Sequence, residues 1–172
     1  MVSQTAPHWY AFVTRPRHEK RVKLHLDGRG IESYLPLQKT VRQWKDRKKK
    51  VEIPLFSCYI FAFLPYTKRY DVLTAPSVVR VVSFENQPTP VHDNEIQAIR
   101  TIMNTNPTFD VCEGLQVGER IEIASGPLKG IQGELVHFHG RDRIAVNIDA
   151  ISKSLLLDIE RGFVKRVAGD SP

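Results

Sequence analysis

Apolar positions in the first hundred residues change period several times. Trp9 to Thr14 is dense in aromatic and β-branched residues and predicts a strand. Arg17 to Arg29 carries Val22 and Leu26 at helical spacing and predicts a helix ended by Gly30. Ile31 to Pro36 returns to strand character. Val41 to Lys45 and Val51 to Leu55 then bracket Asp46-Arg47-Lys48-Lys49-Lys50, a charged run that reads as a hairpin tip. The uninterrupted CYIFAFL of Cys58 to Leu64 suits a strand buried on both faces at the centre of a sheet.

Lys68 to Ala75 predicts a short helix stopped before Pro76, and Val78 to Phe84 a further strand. Ile96, Ile99 and Met103 then mark one face of a helix, with Asp93 as N-cap and Glu95 near the positive end of the helix dipole. That stripe is expected to pack on the sheet. Strand, helix, several strands and helix make an α+β domain with a mainly antiparallel sheet flanked by helices. Asn104 to Gly114 loses periodicity around Pro107 and reads as a linker. Arg120 to Ala124, Gly133 to Phe138, Ile144 to Ile148 and Ser154 to Ile159 then alternate with turns, as in a small SH3-like β-barrel. The expected organisation is a first domain at 1–103, a linker at 104–114, a barrel at 115–168 and a tail at 169–172.

Composition alters this picture in two ways. The longest apolar stretch, around Cys58 to Leu64, is far short of the roughly 20 residues that span a bilayer, and the N-terminus lacks a signal-peptide run. A cytoplasmic protein without a membrane partner is expected, and two cysteines, Cys58 and Cys112, read as free thiols. Charge is uneven: residues 1–50 hold thirteen Lys and Arg against four Asp and Glu, a balance of +9, so the net +6 of the chain leaves −3 for the remainder. Such polarisation suits a phosphate-backbone partner, and also suits a basic face that binds nothing.

Several strings carry family information. ASGPLKGIQGELV sets Gly126, Pro127 and Gly130 in a tight turn and Gly133 where a barrel bends; with Val117, Gly118 and Ile121 it resembles the KOW motif. In the first domain, Trp9-Tyr10, Arg17 to Arg21, YLPL at Tyr34 to Leu37, PLFSCYIF at Pro54 to Phe61 and VVRVVSF at Val78 to Phe84 resemble the NusG N-terminal domain in order and spacing. The resemblance covers nearly the whole chain. RQWKDRKKKVEIPLF, Arg42 to Phe56, is most similar to the specialised UpxY and RfaH antiterminators, the former tied to capsular polysaccharide operons.

The resemblance implies a non-enzymatic elongation and antitermination factor that docks the clamp helices of the largest catalytic subunit of RNA polymerase. Phe56, Tyr59, Phe61 and Phe84 occupy the matching positions, and core packing is the competing role, above all for Phe61. Arg15, Arg17, His18 and Arg21 sit where antiterminators meet the non-template DNA strand, with guanidinium groups suited to phosphates and unpaired bases; solvated helix charge is the alternative. Lys45, Arg47, Lys48, Lys49 and Lys50 suit upstream duplex DNA through counterion release, or simply keep a hairpin tip soluble. Lys68, Arg69 and Tyr70 lie near the stretch that contacts the polymerase gate loop in RfaH-like proteins. In general NusG proteins the barrel meets ribosomal protein S10 or Rho; here Ile151 replaces an aromatic residue at the matching position, S10 is the candidate partner, and Rho recruitment, which would oppose antitermination, is expected to be weak or absent.

Other classes fit less well. A ribosome-associated RNA-binding KOW protein would concentrate positive charge on its barrel, whereas residues 115–167 hold eight basic and seven acidic side chains. His137 and His139 share a strand face, but no third metal ligand stands at a recognised spacing, and no nucleotide-binding glycine loop occurs. The expectation is a monomer with no catalytic residues, cofactor or metal.

Overall fold

The computed structural model describes residues 5–43, 46–113, 118–138, 140–158 and 163–167. It divides into two compact units, Met1–Asp93 and Asn94–Pro172. In the first, β1 (Pro7–Thr14) leads into α1 (Glu19–Gly28), β2 (Ser33–Tyr34) and the hairpin of β3 (Leu37–Gln43) and β4 (Lys48–Pro54). Then come β5 (Tyr59–Pro65), a 3₁₀ turn (Tyr66–Lys68), α2 (Arg69–Leu73), β6 (Val78–Val81), β7 (Ser83–Phe84), β8 (Gln87–Pro88) and β9 (Pro90–Val91).

The main sheet runs β2-β5-β1-β6, with β9 also on β1, and every pairing in it is antiparallel. β5 lies between β2 and β1, which is where an unbroken apolar strand can bury both faces. One face of the sheet carries Tyr10 and Phe12 of β1 beside Ile60, Ala62 and Leu64 of β5. Val22 and Leu26 of α1 close over it together with Val72 and Ala75. Tyr10, Phe12, Val22, Leu26, Ile60 and Ala62 are all buried, the helical pair four residues apart supplying the stripe that holds α1 on the sheet.

Several bounds differ from expectation. The hairpin tip is narrower than the charged run: Val41 pairs with Lys50 and Gln43 with Lys48, so three lysines lie within a strand. Their aliphatic stems tolerate a strand whose sides are open to water. Val78 to Phe84 breaks into β6 and β7, because the chain leaves β1 after Val82 donates to the Ala11 carbonyl.

The second unit holds β10 (Phe109–Glu113), β11 (Arg120–Ile123), β12 (Gln132–Phe138), β13 (Arg141–Ile148), a 3₁₀ turn (Asp149–Ile151), β14 (Lys153–Asp158) and β15 (Val164–Arg166). The sheet order is β10-β14-β13-β12-β11-β15, with antiparallel pairs throughout. β10 lies in the stretch expected to be linker. Its alternation is too short to stand out beside Pro107, and it is held on β14 by main-chain pairing, by Lys153 against Glu113, and by Arg143, which meets Asp110 at 2.5 Å and Asp158 at 2.8 Å.

Helix α3 (Asp93–Thr105) buries Ile96, Ala98, Ile99 and Ile102 and leaves Met103 half-buried. The division between units falls at its start, ahead of the boundary expected after residue 103, and a Glu95 carboxylate oxygen accepts the Asp149 N–H at 3.2 Å within the second unit. Glu95 is thus buried as an acceptor in addition to standing near the helix start. Among the described residues no helix is long and apolar enough to cross a membrane.

Candidate functional site

The alternation of β5 decides which aromatic residues meet. Trp9 pairs with Phe63, Ala11 with Phe61 and Val13 with Tyr59, so these side chains share the sheet face opposite Tyr10 and Phe12. The Trp9 and Phe63 ring centroids lie 5.4 Å apart, and Phe56 stands edge-on to Phe61 at 6.2 Å. Phe56, Tyr59 and Phe61 are therefore brought together, while Phe84 stands apart on the β7–β8 hairpin. Exposure separates them further. Phe56 is 3% exposed and Phe61 0%, Tyr59 is half-buried, and Phe84 is 71% exposed. Trp9 and Phe63 belong to this face although sequence reasoning did not include them; the period of two linking Tyr59, Phe61 and Phe63 was the signal.

The cationic groups gather at the C-terminal end of β1. Arg15, Arg17 and Arg21 are exposed and His18 is half-buried at the N-cap of α1, where its side chain makes no capping bond. The ring reaches Ser77 instead, with Nδ1 2.7 Å from Oγ. The turn is tied at its base: Arg15 N–H donates to the Ser77 carbonyl at 2.9 Å, Thr14 N–H to the Cys58 carbonyl at 2.8 Å, and Cys58 N–H to the buried Glu19 carboxylate at 2.7 Å. Ser77, Cys58 and Glu19 were invisible as site residues in the sequence because their roles depend on contacts between distant segments.

Lys20 Nζ donates to the Glu52 carbonyl at 2.6 Å and thereby fastens α1 to β4, so the hairpin lies alongside the basic helix. Arg47, Lys48, Lys49 and Lys50 are exposed; Lys48 and Lys50 point to one side of the ribbon and Lys49 to the other. Lys45 lies outside the described residues. Lys68 and Tyr70 are exposed, but the Arg69 guanidinium is already engaged between the Tyr66 ring at 4.6 Å and the Tyr70 ring at 4.5 Å. Tyr66 also packs 5.3 Å from Tyr10, whose phenol pKa is raised by burial first and by Tyr66 second.

In the second unit Gly130 takes φ 90° and donates its N–H to the Ile123 carbonyl at 2.8 Å, while Gly126, at φ 85°, accepts from Lys129 N–H. Pro127 is exposed within the same turn. Gly133 answers a different need, since a Cβ there would fall 2.4 Å from the Ala145 carbonyl oxygen. Ile151 is buried, at 5% exposure. His137 Nδ1 meets Asp142 at 2.9 Å, and His139 lies outside the described residues.

The profile described as transcription termination factor nusG matches residues 7–100. The chain belongs to the NusG family. The match spans every first-domain site residue named above, from Arg15 to Phe84. Relatives extend the likeness across both units: a NusG from Staphylococcus carnosus is 28% identical over 94% of this chain and 97% of its own, and one from Campylobacter jejuni is 23% identical over 92% and 97%. Both are called transcription termination/antitermination protein NusG. A solved structure of Thermotoga maritima NusG, concerned with its domain interaction, has the same fold at TM-score 0.53 and 21% identity, covering 95% of this chain and 99% of that one.

Proposed function

We propose that this chain is a non-enzymatic transcription elongation and antitermination factor of the specialised UpxY/RfaH kind, acting on RNA polymerase in the cytoplasm. The observation that carries the reading is the sheet face shared by Tyr59 and Phe61, with Phe56 set edge-on against Phe61, inside the segment matched to NusG. Half-buried Tyr59 and exposed Phe84 offer contact area to the polymerase clamp helices. Buried Phe56 and Phe61 fix the shape of that face.

Beside this docking face, Arg15, Arg17, His18 and Arg21 meet the displaced non-template strand, where guanidinium groups pair with phosphates and stack on bases. The β3–β4 lysines add affinity for upstream duplex DNA without reading its sequence. Exposed Lys68 and Tyr70 reach toward the gate loop, and Arg69 stiffens that corner by stacking. No bond is made or broken. Binding free energy that favours the elongating over the paused conformation suffices to lower pausing and termination. The second unit is a KOW barrel for recruitment, with ribosomal protein S10 as the candidate partner, and capsular polysaccharide operons are the expected targets.

The test is co-sedimentation of the full chain with core RNA polymerase, and separately with ribosomal subunits free of nascent transcripts. Association with polymerase that weakens on Tyr59→Ala or Phe84→Ala supports the reading. Association with ribosomal subunits alone overturns it.

A further inference from the structure

Three residues other than glycine adopt left-handed backbone conformations around the end of β1: Arg17 at φ 65°, Cys58 at φ 67° and Ser77 at φ 76°. Such conformations persist where surrounding contacts over-determine them, and they concentrate at functional sites. The contacts here are explicit. The Ser77 carbonyl receives Arg15 N–H, the Cys58 carbonyl receives Thr14 N–H, and Glu19 receives Cys58 N–H, so two distant segments grip the turn that carries Arg15, Arg17 and His18.

Ser77 grips it twice. Its carbonyl holds the backbone at Arg15, and its hydroxyl holds the His18 ring. A serine at an N-cap position commonly bonds helix N–H groups, whereas His18 occupies the N-cap of α1 and turns its ring away to Ser77. In either tautomer the bond occupies Nδ1 and leaves Nε2 as the ring atom for an incoming group.

We propose that Ser77 is a positioning residue for the nucleic-acid turn: it orients the His18 imidazole so that Nε2 meets an unpaired base or phosphate of single-stranded DNA. The proposal rests on the reading of this turn as a single-strand contact. Orienting the ring before binding removes rotamer freedom that would otherwise be lost on association, which raises affinity without adding a contact. The left-handed conformation of Ser77 is then retained because it is the geometry that places Oγ on His18 while its carbonyl holds Arg15.

The deciding variant is Ser77→Gly. Glycine adopts φ 76° without strain and keeps the carbonyl that accepts from Arg15, so only the hydroxyl is removed. The full chain is titrated into a short fluorescent single-stranded DNA as wild type, Ser77→Gly, His18→Ala and the double variant, with the melting temperature of each recorded. The expected result is a Ser77→Gly protein that melts at or above the wild-type temperature yet binds about three- to tenfold more weakly, the size of one missing hydrogen bond. In the His18→Ala background Ser77→Gly should bring no further loss.

Wild-type affinity in Ser77→Gly, or losses that add independently in the double variant, would overturn the positioning role while leaving the single-strand reading intact. Failure of that reading is told apart by Arg17→Ala and Arg21→Ala. If wild type and both arginine variants bind single-stranded DNA equally poorly, the reading of the turn fails and the proposal fails with it.

Discussion

Glu19 and Cys58 are joined by a half-buried hydrogen bond in which the buried carboxylate of the first helical turn accepts the backbone N–H at the entry to β5, at 2.7 Å. The bond fixes α1 against the strand that carries Tyr59 and Phe61, and so couples the basic turn to the aromatic face. Glu19→Ala leaves the Cys58 N–H without its acceptor, and a charged acceptor of this kind is worth about 2 kcal/mol. Urea denaturation should show that loss, with Glu19→Gln, which keeps a carbonyl acceptor, losing less.

The two exposure classes of aromatic residue separate binding from folding. Phe84→Ala removes a ring that is 71% exposed and should change stability by no more than about 0.5 kcal/mol while weakening polymerase binding. Phe61→Ala empties a fully buried position and should cost about 3 to 5 kcal/mol of stability. Chemical denaturation beside a polymerase pull-down reads both effects, and loss of polymerase binding in Phe84→Ala at unchanged stability is the expected pattern.

How much of this was legible in the sequence follows from the range of each interaction. β1, α1, β5 and the barrel strands are written in local periodicity, so CYIFAFL announced its central place before any neighbour was known. Phe56, Tyr59 and Phe61 were legible as candidates only through the resemblance to the NusG N-terminal domain, and β5 sets Tyr59 and Phe61 on one face of the sheet. The burial of Phe56 was not legible, since it depends on how the chain enters β5. The grip of Ser77 on His18 spans 59 residues and leaves no local trace. β10 was hidden for a related reason: a five-residue strand with three exposed positions owes its place to a distant partner, β14.

The hairpin lysines act through long-range charge. If they neutralise duplex phosphates, replacing Lys48, Lys49 and Lys50 by Gln should flatten the dependence of log affinity on log salt by up to roughly 0.9 for each phosphate left without its lysine. Binding of duplex DNA across a salt series measures this. An unchanged slope would assign the lysines to solubility alone.

Gly133 sets the packing of β12 on β13. Gly133→Ala drives a methyl group to 2.4 Å from the Ala145 carbonyl, which the strands relieve only by separating. A destabilisation of about 2 kcal/mol or more is expected in the second unit. Amide hydrogen exchange should report faster exchange across β12 and β13, with protection in β1 and β5 unchanged.

Acid should loosen the same barrel through Glu122. Hydrogen bonds from Lys165, then from Gln132, hold its carboxyl below the ordinary value. A depressed folded value means stability present above the unfolded carboxylate range and lost as pH falls through the folded one. Melting temperature measured from neutral pH downward should therefore fall less steeply in Glu122→Gln than in wild type.

Single-round transcription across an intrinsic terminator, with purified polymerase and increasing amounts of the full chain, bears most directly on what this protein does. Read-through should rise with the wild type and return to the polymerase-alone level with the Tyr59→Ala/Phe84→Ala double variant. Read-through that is unchanged by the wild-type chain, or raised equally by the double variant, would contradict an antitermination factor that docks on polymerase through Tyr59 and Phe84.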